Sequence, residues 1–305
     1  TGTQLLGGYD ARHPDLAADG SIVYEVARYD ANLWRVDQPR SAPPPRRLTE
    51  SARYDSQPDI SPDSQWIAFG SNRDGREAIY LMRADGSEER KLGLDPELRW
   101  TAPRWSPDGA ELLVQRYDAN GVGFCLHHVA DGVTRCPVDW QRRWHAGFFL
   151  DADTIAMIDL DSNAPALWRA PRAGGAPQHT SVDGVQRCRP SAAGLICQGA
   201  GIAGLRLIGA NGVERTLVEN LDPAQRGGWT ATGSALYVAL TADDAESGAG
   251  VYRIDLESGE RQRVTELRPT AIGDGLSVAP DESFLVLART DGLETDLMYV
   301  PPPHP

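Results

Sequence analysis

Sulfur is scarce in this sequence: four cysteines and three methionines occur among 305 residues. None of the cysteines is spaced as Cys-x-x-Cys, which excludes the common zinc-ribbon and thioredoxin-type patterns. No apolar run approaches the roughly 18 residues needed to cross a membrane as a helix. No stretch carries sustained helical periodicity, so a helical bundle is excluded. No secretory leader is visible, and the chain starts at Thr1, which reads as a mature form or an excised domain. Positive charge is in deficit, with 30 Lys and Arg against 43 Asp and Glu, a formal net charge of −13. Such a surface repels phosphate backbones, so no direct binding of nucleic acid by this chain is expected.

Catalytic signatures are missing too. There is no Gly-x-Ser-x-Gly elbow, no Walker loop and no His-Glu-x-x-His. Of the six histidines, His127 and His128 are adjacent on an expected strand and point to opposite faces, so they do not share one metal. Only His145 is well placed for a channel site. Asp159-x-Asp161-x-Asn163 starts like a calcium loop, but Ala164 replaces the required Gly and Ala170 stands where a bidentate Glu belongs. We therefore expect no cofactor, no metal and no enzyme activity in this chain.

Gly (31) and Pro (22) are plentiful, which suits a fold with many tight turns. They recur in a pattern. Ser56 opens SQPDISPDSQWIAFGSNRDGREAIYLMRADGSEERKL, and Thr101 opens TAPRWSPDGAELLVQRYDANGVGFCLHHVADGVTRCPV. Arg12 opens RHPDLAADGSIVYEVARYDANLWRVD. Each reads as a short strand, a Ser-Pro-Asp-Gly-like turn, an apolar strand, a polar loop and a third strand. Where the segment continues, an Asp-Gly or Asn-Gly turn leads to a fourth strand. Weaker copies begin near His145, Gln186, Gly228 and Gly273. A period of about 40–45 residues is that of four-stranded propeller blades. The expectation is one all-β domain over residues 1–305, a seven-bladed β-propeller of four-stranded blades. The last unit offers three strands, so the strand-like run at 3–7 (Thr3-Gln4-Leu5-Leu6-Gly7) is expected to join it and close the ring, which removes two exposed sheet edges.

Cys125 and Cys136 fall on strands c and d of the third unit, and Cys188 and Cys197 on strands a and b of the fifth. Each pair flanks an expected hairpin. Two local disulfides, and hence an oxidising compartment, are favoured over four inert thiols.

Pro58-Asp59-Ile60-Ser61-Pro62-Asp63 with Trp66-Ile67-Ala68-Phe69 resembles the repeat of TolB-like propellers, as do Pro103 to Gly109 and Arg83-Ala84-Asp85-Gly86 with Arg90-Lys91-Leu92. The resemblance is most specific in these two units and extends over nearly the whole chain through the period. It implies one of three settings: the sensor half of a membrane-bound winged-helix (CadC/ToxR-like) transcriptional regulator, a free periplasmic scaffold, or the propeller of a prolyl-oligopeptidase-type peptidase. The opening HPDLAADG…NLWRVD is most similar to the first. That setting implies a periplasmic domain held to the inner membrane only through a helix preceding Thr1. Its partner would be an envelope protein or a small-molecule ligand, and a homodimer is compatible with it.

In such a propeller the d–a and b–c loops share one face around the central channel. The residues expected there are Arg28, Tyr29 and Asp30, repeated as Arg116, Tyr117 and Asp118 and again as Arg53, Tyr54 and Asp55. Arg99 with Trp100, Arg143 with Trp144 and His145, Arg187, and Arg226 with Trp229 fall near other innermost strands. Arg offers a planar fork to carboxylates or phosphates, and aromatics offer stacking area, so this ring is a candidate binding face. The competing reading is that these arginines pair with the repeated aspartates and hold neighbouring blades together.

Overall fold

The computed structural model describes residues 11–38, 44–119, 121–137, 143–159, 164–199, 204–221, 228–240, 248–266 and 275–301, without the side chains of 11–13, 26–29 and 293–295. All regular structure among them is β-strand. The units from the second to the sixth each form one four-stranded antiparallel sheet in the order a-b-c-d. The second blade comprises Asp55–Ile60, Trp66–Ser71, Ala78–Arg83 and Arg90–Lys91. The third comprises Arg99–Trp105, Glu111–Asp118, Gly121–His128 and Thr134–Arg135. The fourth comprises Trp144–Phe149, Thr154–Asp159, Ala166–Pro171 and Gln178–Asp183. The fifth comprises Val185–Ser191, Gly194–Gly199, Leu205–Ile208 and Glu214–Val218. The sixth comprises Trp229–Ala231, Ala235–Leu240, Gly250–Asp255 and Arg261–Glu266.

The two end units behave differently from the expectation of separate first and seventh blades. Ile22–Asp37 and Phe284–Val300 run antiparallel along their whole length, from Ile22 opposite Val300 to Asp37 opposite Phe284. One half of this ribbon, flanked by Leu276–Val278 and Arg46–Arg47, is a single four-stranded blade. Its a and b strands come from the end of the chain and its c and d strands from the beginning. The other half, flanked by Ala11–Leu16, extends the same sheet outward. The described residues therefore form six sheets, because the two end units each supply half of one closing blade. The ring is latched by the chain's two ends, as expected, but through Ile22–Asp37; residues 3–7 lie outside the described part.

Packing follows the same count. The innermost strands touch in a closed cycle from the second blade to the sixth and back through the closing blade. Six apolar clusters fill the six gaps. Alternate residues of one strand serve opposite gaps: Ile67 and Phe69 face the closing blade while Ala68 faces the third. Phe284 and Val286 face the second blade while Leu285 and Leu287 face the sixth. Burial on both faces explains why these strands read as continuous apolar runs and not as alternating ones.

The repeated turn has a specific chemistry. Ser61 Oγ donates to Asp63 Oδ1 (2.6 Å) and accepts the Trp66 N–H (2.8 Å), while Asp63 accepts the Gln65 N–H. Ser106, Asp108 and Ala110 repeat the arrangement, and the Glu111 N–H closes it at 2.9 Å. In the c–d hairpins Asp85, Asp131 and Asn211 each accept an N–H two residues on, and the following Gly86, Gly132 and Gly212 have positive φ. Hydrogen bonds from Ser61 and Ser87 hold the Asp63 and Asp85 carboxyls below the usual aspartate range, and Asp281 is lowered by Ser283.

Both disulfides are formed as the sequence suggested, Cys125–Cys136 and Cys188–Cys197. The second joins directly opposed residues of the a and b strands of the fifth blade.

Two outcomes follow. Replacing Cys188 and Cys197 together by Ala is expected to cost about 2–3 kcal/mol in equilibrium urea unfolding, from the chain entropy of a short loop. For the turns, the folded carboxyls are depressed, so their stabilisation is full above the ordinary aspartate range near pH 4 and is lost as pH falls towards the folded values. Urea midpoints measured from about pH 6 downward should drop below about pH 4, and the drop should be shallower in Asp63→Asn and Asp85→Asn.

Candidate functional site

One end of the channel is formed where each innermost strand starts and where the b–c loops turn. The two are stitched together by backbone: Trp100 N–H donates to Glu77 O (3.1 Å), Val185 N–H to Pro165 O (3.1 Å) and Ala31 N–H to Arg53 O (3.1 Å). Tyr54 N–H donates to Asn72 Oδ1 at 2.9 Å.

Many residues expected at this mouth are engaged by partners within their own blade or in the adjacent one. Arg99 Nε donates to Glu77 Oε2 (2.7 Å) of the preceding blade, and its guanidinium lies 4.8 Å from the Tyr117 ring centroid. Arg187 lies 5.0 Å from the ring centroid of Trp229 and donates to the Trp229 carbonyl (3.1 Å) in the next blade. Asp55 is buried and accepts from Ser71 Oγ (2.6 Å) and Arg73 Nη2 (2.7 Å). Arg116 pairs with Asp118. Trp100, Trp144 and Trp229 are buried; Trp100 Nε1 donates to Asp95 O (2.9 Å), and Trp144 meets Trp168 edge-on at 5.9 Å.

Arg53, Arg143 and His145 are exposed at this end, and Tyr54, next to Arg53 in the chain, is half-buried. Asp30 is half-buried on the long strand Ile22–Asp37, where the sequence suggested a loop, because Phe284–Val300 gives that segment a pairing partner. The side chains of Arg28 and Tyr29, the whole of Arg226, and Asp161 and Asn163 of the calcium-like segment lie outside the described residues. Among the described residues no group of three or more His, Cys, Asp and Glu is arranged to hold a metal ion.

At the other end of the innermost strands the structure sets at one level a set of residues that the sequence did not single out as site residues. The position two residues before each a–b turn is occupied by Asp59, Arg104, Phe148, Arg189, Thr230 and Ser277 in blade order. Register shifts just upstream, at Ser56/Asp59, Thr101/Arg104 and His145/Phe148, bulge the innermost strands, with positive φ at Gln57, Ala102 and Ala146. Bulges of this kind bend a strand and re-aim the side chains that follow. Asp59 Oδ2 accepts the Trp105 N–H (2.7 Å), and Ser277 Oγ accepts the Ile60 N–H (3.1 Å), so two members tie adjacent blades together. Arg104 approaches Asp59 at 3.8 Å. Burial raises the Asp59 carboxyl above its ordinary range, against the opposing pull of the Arg104 and Arg189 charges and the Trp105 N–H. These residues share one position of the repeat but differ in type from unit to unit; the signal in the sequence was the alignment of the residue two before each turn.

This ring of antiparallel sheets defines the chain as an all-β propeller, and solved propellers of several functions are similar to it. TolB from Acinetobacter baumannii superimposes with a TM-score of 0.57 at 14% identity, over 89% of this chain and 67% of that one. An oligogalacturonate lyase in complex with manganese gives 0.53 at 14% identity, over 92% and 96%. At these identities the likeness is one of fold. In sequence, an uncharacterized peptidase, YuxL, of Bacillus subtilis (strain 168) is 33% identical over 110 residues, which cover 33% of this chain and 16% of that protein. No family model matches the chain.

Burial separates the members of the mouth. Trp229→Ala is expected to lose about 3–5 kcal/mol of stability, and Arg53→Ala to stay within about 0.5 kcal/mol of the parent, both read from urea unfolding.

Proposed function

We propose that this chain is a non-catalytic binding propeller of an oxidising compartment outside the cytoplasm, which captures an envelope protein or a small ligand at the channel mouth. The observation that carries this reading is the division of labour at the mouth. Buried tryptophans and paired arginines make a ring, and Arg53, Arg143 and His145 are exposed on it, with Tyr54 half-buried. Arg and aromatic side chains on a rigid support are the usual anchors of protein interfaces. The two disulfides support the compartment, since such bonds persist where thiols are not kept reduced. The TolB-like fold supports a periplasmic protein-binding role by analogy.

Within that reading we favour the sensor half of a membrane-bound winged-helix regulator, on the similarity of the opening HPDLAADG…NLWRVD. A second reading is the propeller of a peptidase, favoured by the local similarity to YuxL. The full reading frame separates them: a winged-helix domain and one apolar span upstream support the first, and an α/β-hydrolase domain downstream supports the second.

The binding role is tested by photo-crosslinking in envelope extracts. A crosslinking amino acid at Arg53 or at His145 should give the same discrete adduct, and one at exposed Val213 should not. Identical adducts from all three positions, or turnover of peptides, sugars or lactones that His145→Ala abolishes, would overturn the proposal.

A further inference from the structure

The outer half of the closing sheet is apolar where water reaches it. Seven large apolar residues are exposed among the described residues, and five of them, Leu16, Val23, Leu297, Met298 and Tyr299, lie on this three-stranded extension. Leu297 and Tyr299 are 78% and 61% exposed. None of the five belongs to the clusters that fill the gaps between blades. Val23 stands directly opposite Tyr299, and Leu297 is two residues along on the same face; Met298 and Leu16 lie on the reverse face. Exposed apolar residues gathered on one element mark an interaction surface, whereas single ones scattered over the surface do not.

The extension has two edges, and they differ. Ala11–Leu16 carries Pro14, which has no N–H to offer, inside a register shift between Arg12 and Asp15. Proline and irregular register are usual guards of a sheet edge. The opposite edge is the C-terminal part of Phe284–Val300. Leu276–Val278 covers that strand only at Leu285–Leu287, so among the described strands Asp296–Val300 pairs on one side only, with Ile22–Val26. Its register is unbroken there, and no proline interrupts it before Pro301. A twofold axis normal to the sheet sets two copies of such an edge antiparallel, and the pleat lets each residue meet only residues of its own face. Met298 is the midpoint of Asp296–Val300, so a pairing centred on it uses the whole free edge. It places Leu297 opposite the partner subunit's Tyr299 and Asp296 opposite the partner subunit's Val300. No carboxylate then meets its own image, which a pairing centred on Asp296 would require.

We propose that the free edge Asp296–Val300 seats a second copy of this chain, joined antiparallel about Met298 so that the two three-stranded extensions become one continuous sheet. Because Pro14 guards the other edge, the pairing closes as a dimer and does not propagate. The seam brings aromatic against aliphatic side chains on one face and Met298 against its own copy on the other, and cross-strand apolar pairs of this kind stabilise a sheet. The net charge of −13 makes two copies repel, so the contact is one that salt strengthens. The dimer does not depend on the function proposed for the mouth.

The test is sedimentation velocity of the full chain over a concentration series. A monomer–dimer equilibrium with a Kd in the micromolar range is expected for so small a contact, and raising NaCl from about 0.05 M to about 0.5 M should tighten it. Met298→Glu sets two like charges face to face and should weaken the dimer by about tenfold or more. Val213→Glu, exposed on another blade, should leave it unchanged. Met298→Cys should form an intermolecular disulfide under mild oxidation, as the directly opposed Cys188 and Cys197 do within the chain, and the more exposed Leu16→Cys should not. A monomer at every concentration would leave the edge to another protein's strand or to residues 1–10 of the chain, and would overturn the proposal. So would a dimer that salt dissolves, one that Met298→Glu leaves intact, or equal crosslinking through Leu16→Cys.

Discussion

Antiparallel pairing of Ile22–Asp37 with Phe284–Val300 is the constraint on which the ring depends. A stack of blades left open would expose the flanks of its two end sheets to water. Here the two ends of the chain share one sheet, and the clusters on its two faces belong to the second and sixth blades. The ladder shifts once, between Asp30 and Ala31, and the extra residue opposite the shift is Asp291. Its carboxylate collects Asn32 Nδ2 (3.1 Å), Trp34 Nε1 (3.2 Å) and Arg289 Nε (3.1 Å). This marks where the blade stops and the outer extension starts. Contacts between residues this distant in sequence form late in a search dominated by loop closure, so the blades nearest the middle of the chain have the topological advantage in folding.

The blade itself was legible because its signals are local. Ser61-Pro62-Asp63 announces a turn through hydrogen bonds within the segment, and Ala84-Asp85-Gly86 does so through a positive φ that Gly tolerates. Apolar runs such as Trp66-Ile67-Ala68-Phe69 carry their burial on both faces in their composition. The cysteine pairing was legible for the same reason, since each pair spans one hairpin. The number of sheets was not, because strand exchange between the first and last units is long-range. A half-blade at each end repeats the period as faithfully as a whole blade does.

At the mouth, the sequence showed which residue types gather but not which way they point. Arg99, Arg187 and Asp55 are spent on Glu77, Trp229 and Arg73, and Trp100 and Trp229 are buried between blades. The structural reading of this cluster therefore holds for these members, and the binding role proposed for the mouth turns on the exposed Arg53, Arg143 and His145. Long flexible side chains choose between solvent and a neighbouring blade according to what that blade offers, and adjacency in sequence does not record it. The level two residues before the a–b turns was hidden for a related reason. Asp59, Arg104 and Arg189 share a position in the repeat but not a residue type, so they look like drift in the motif until the ring sets them at one level.

Two buried or half-buried carboxylates beside arginines behave oppositely. The chain as a whole is acidic, and its arginines are mostly held by carboxylates, as Arg172 is by Asp108 (2.8 Å) and Glu111 (2.8 Å), and Arg253 is by Glu282 (2.9 Å). Burial resists ionisation of Glu282, but hydrogen bonds from Arg253, Thr232 and Tyr237 outweigh it and hold the carboxyl low. At Asp59 the balance reverses: two arginines lie near, yet burial wins and the carboxyl is raised. The difference is geometric. Glu282 accepts directly from Arg253, whereas Arg104 stays at 3.8 Å from Asp59 and directs Nη1 to a backbone carbonyl.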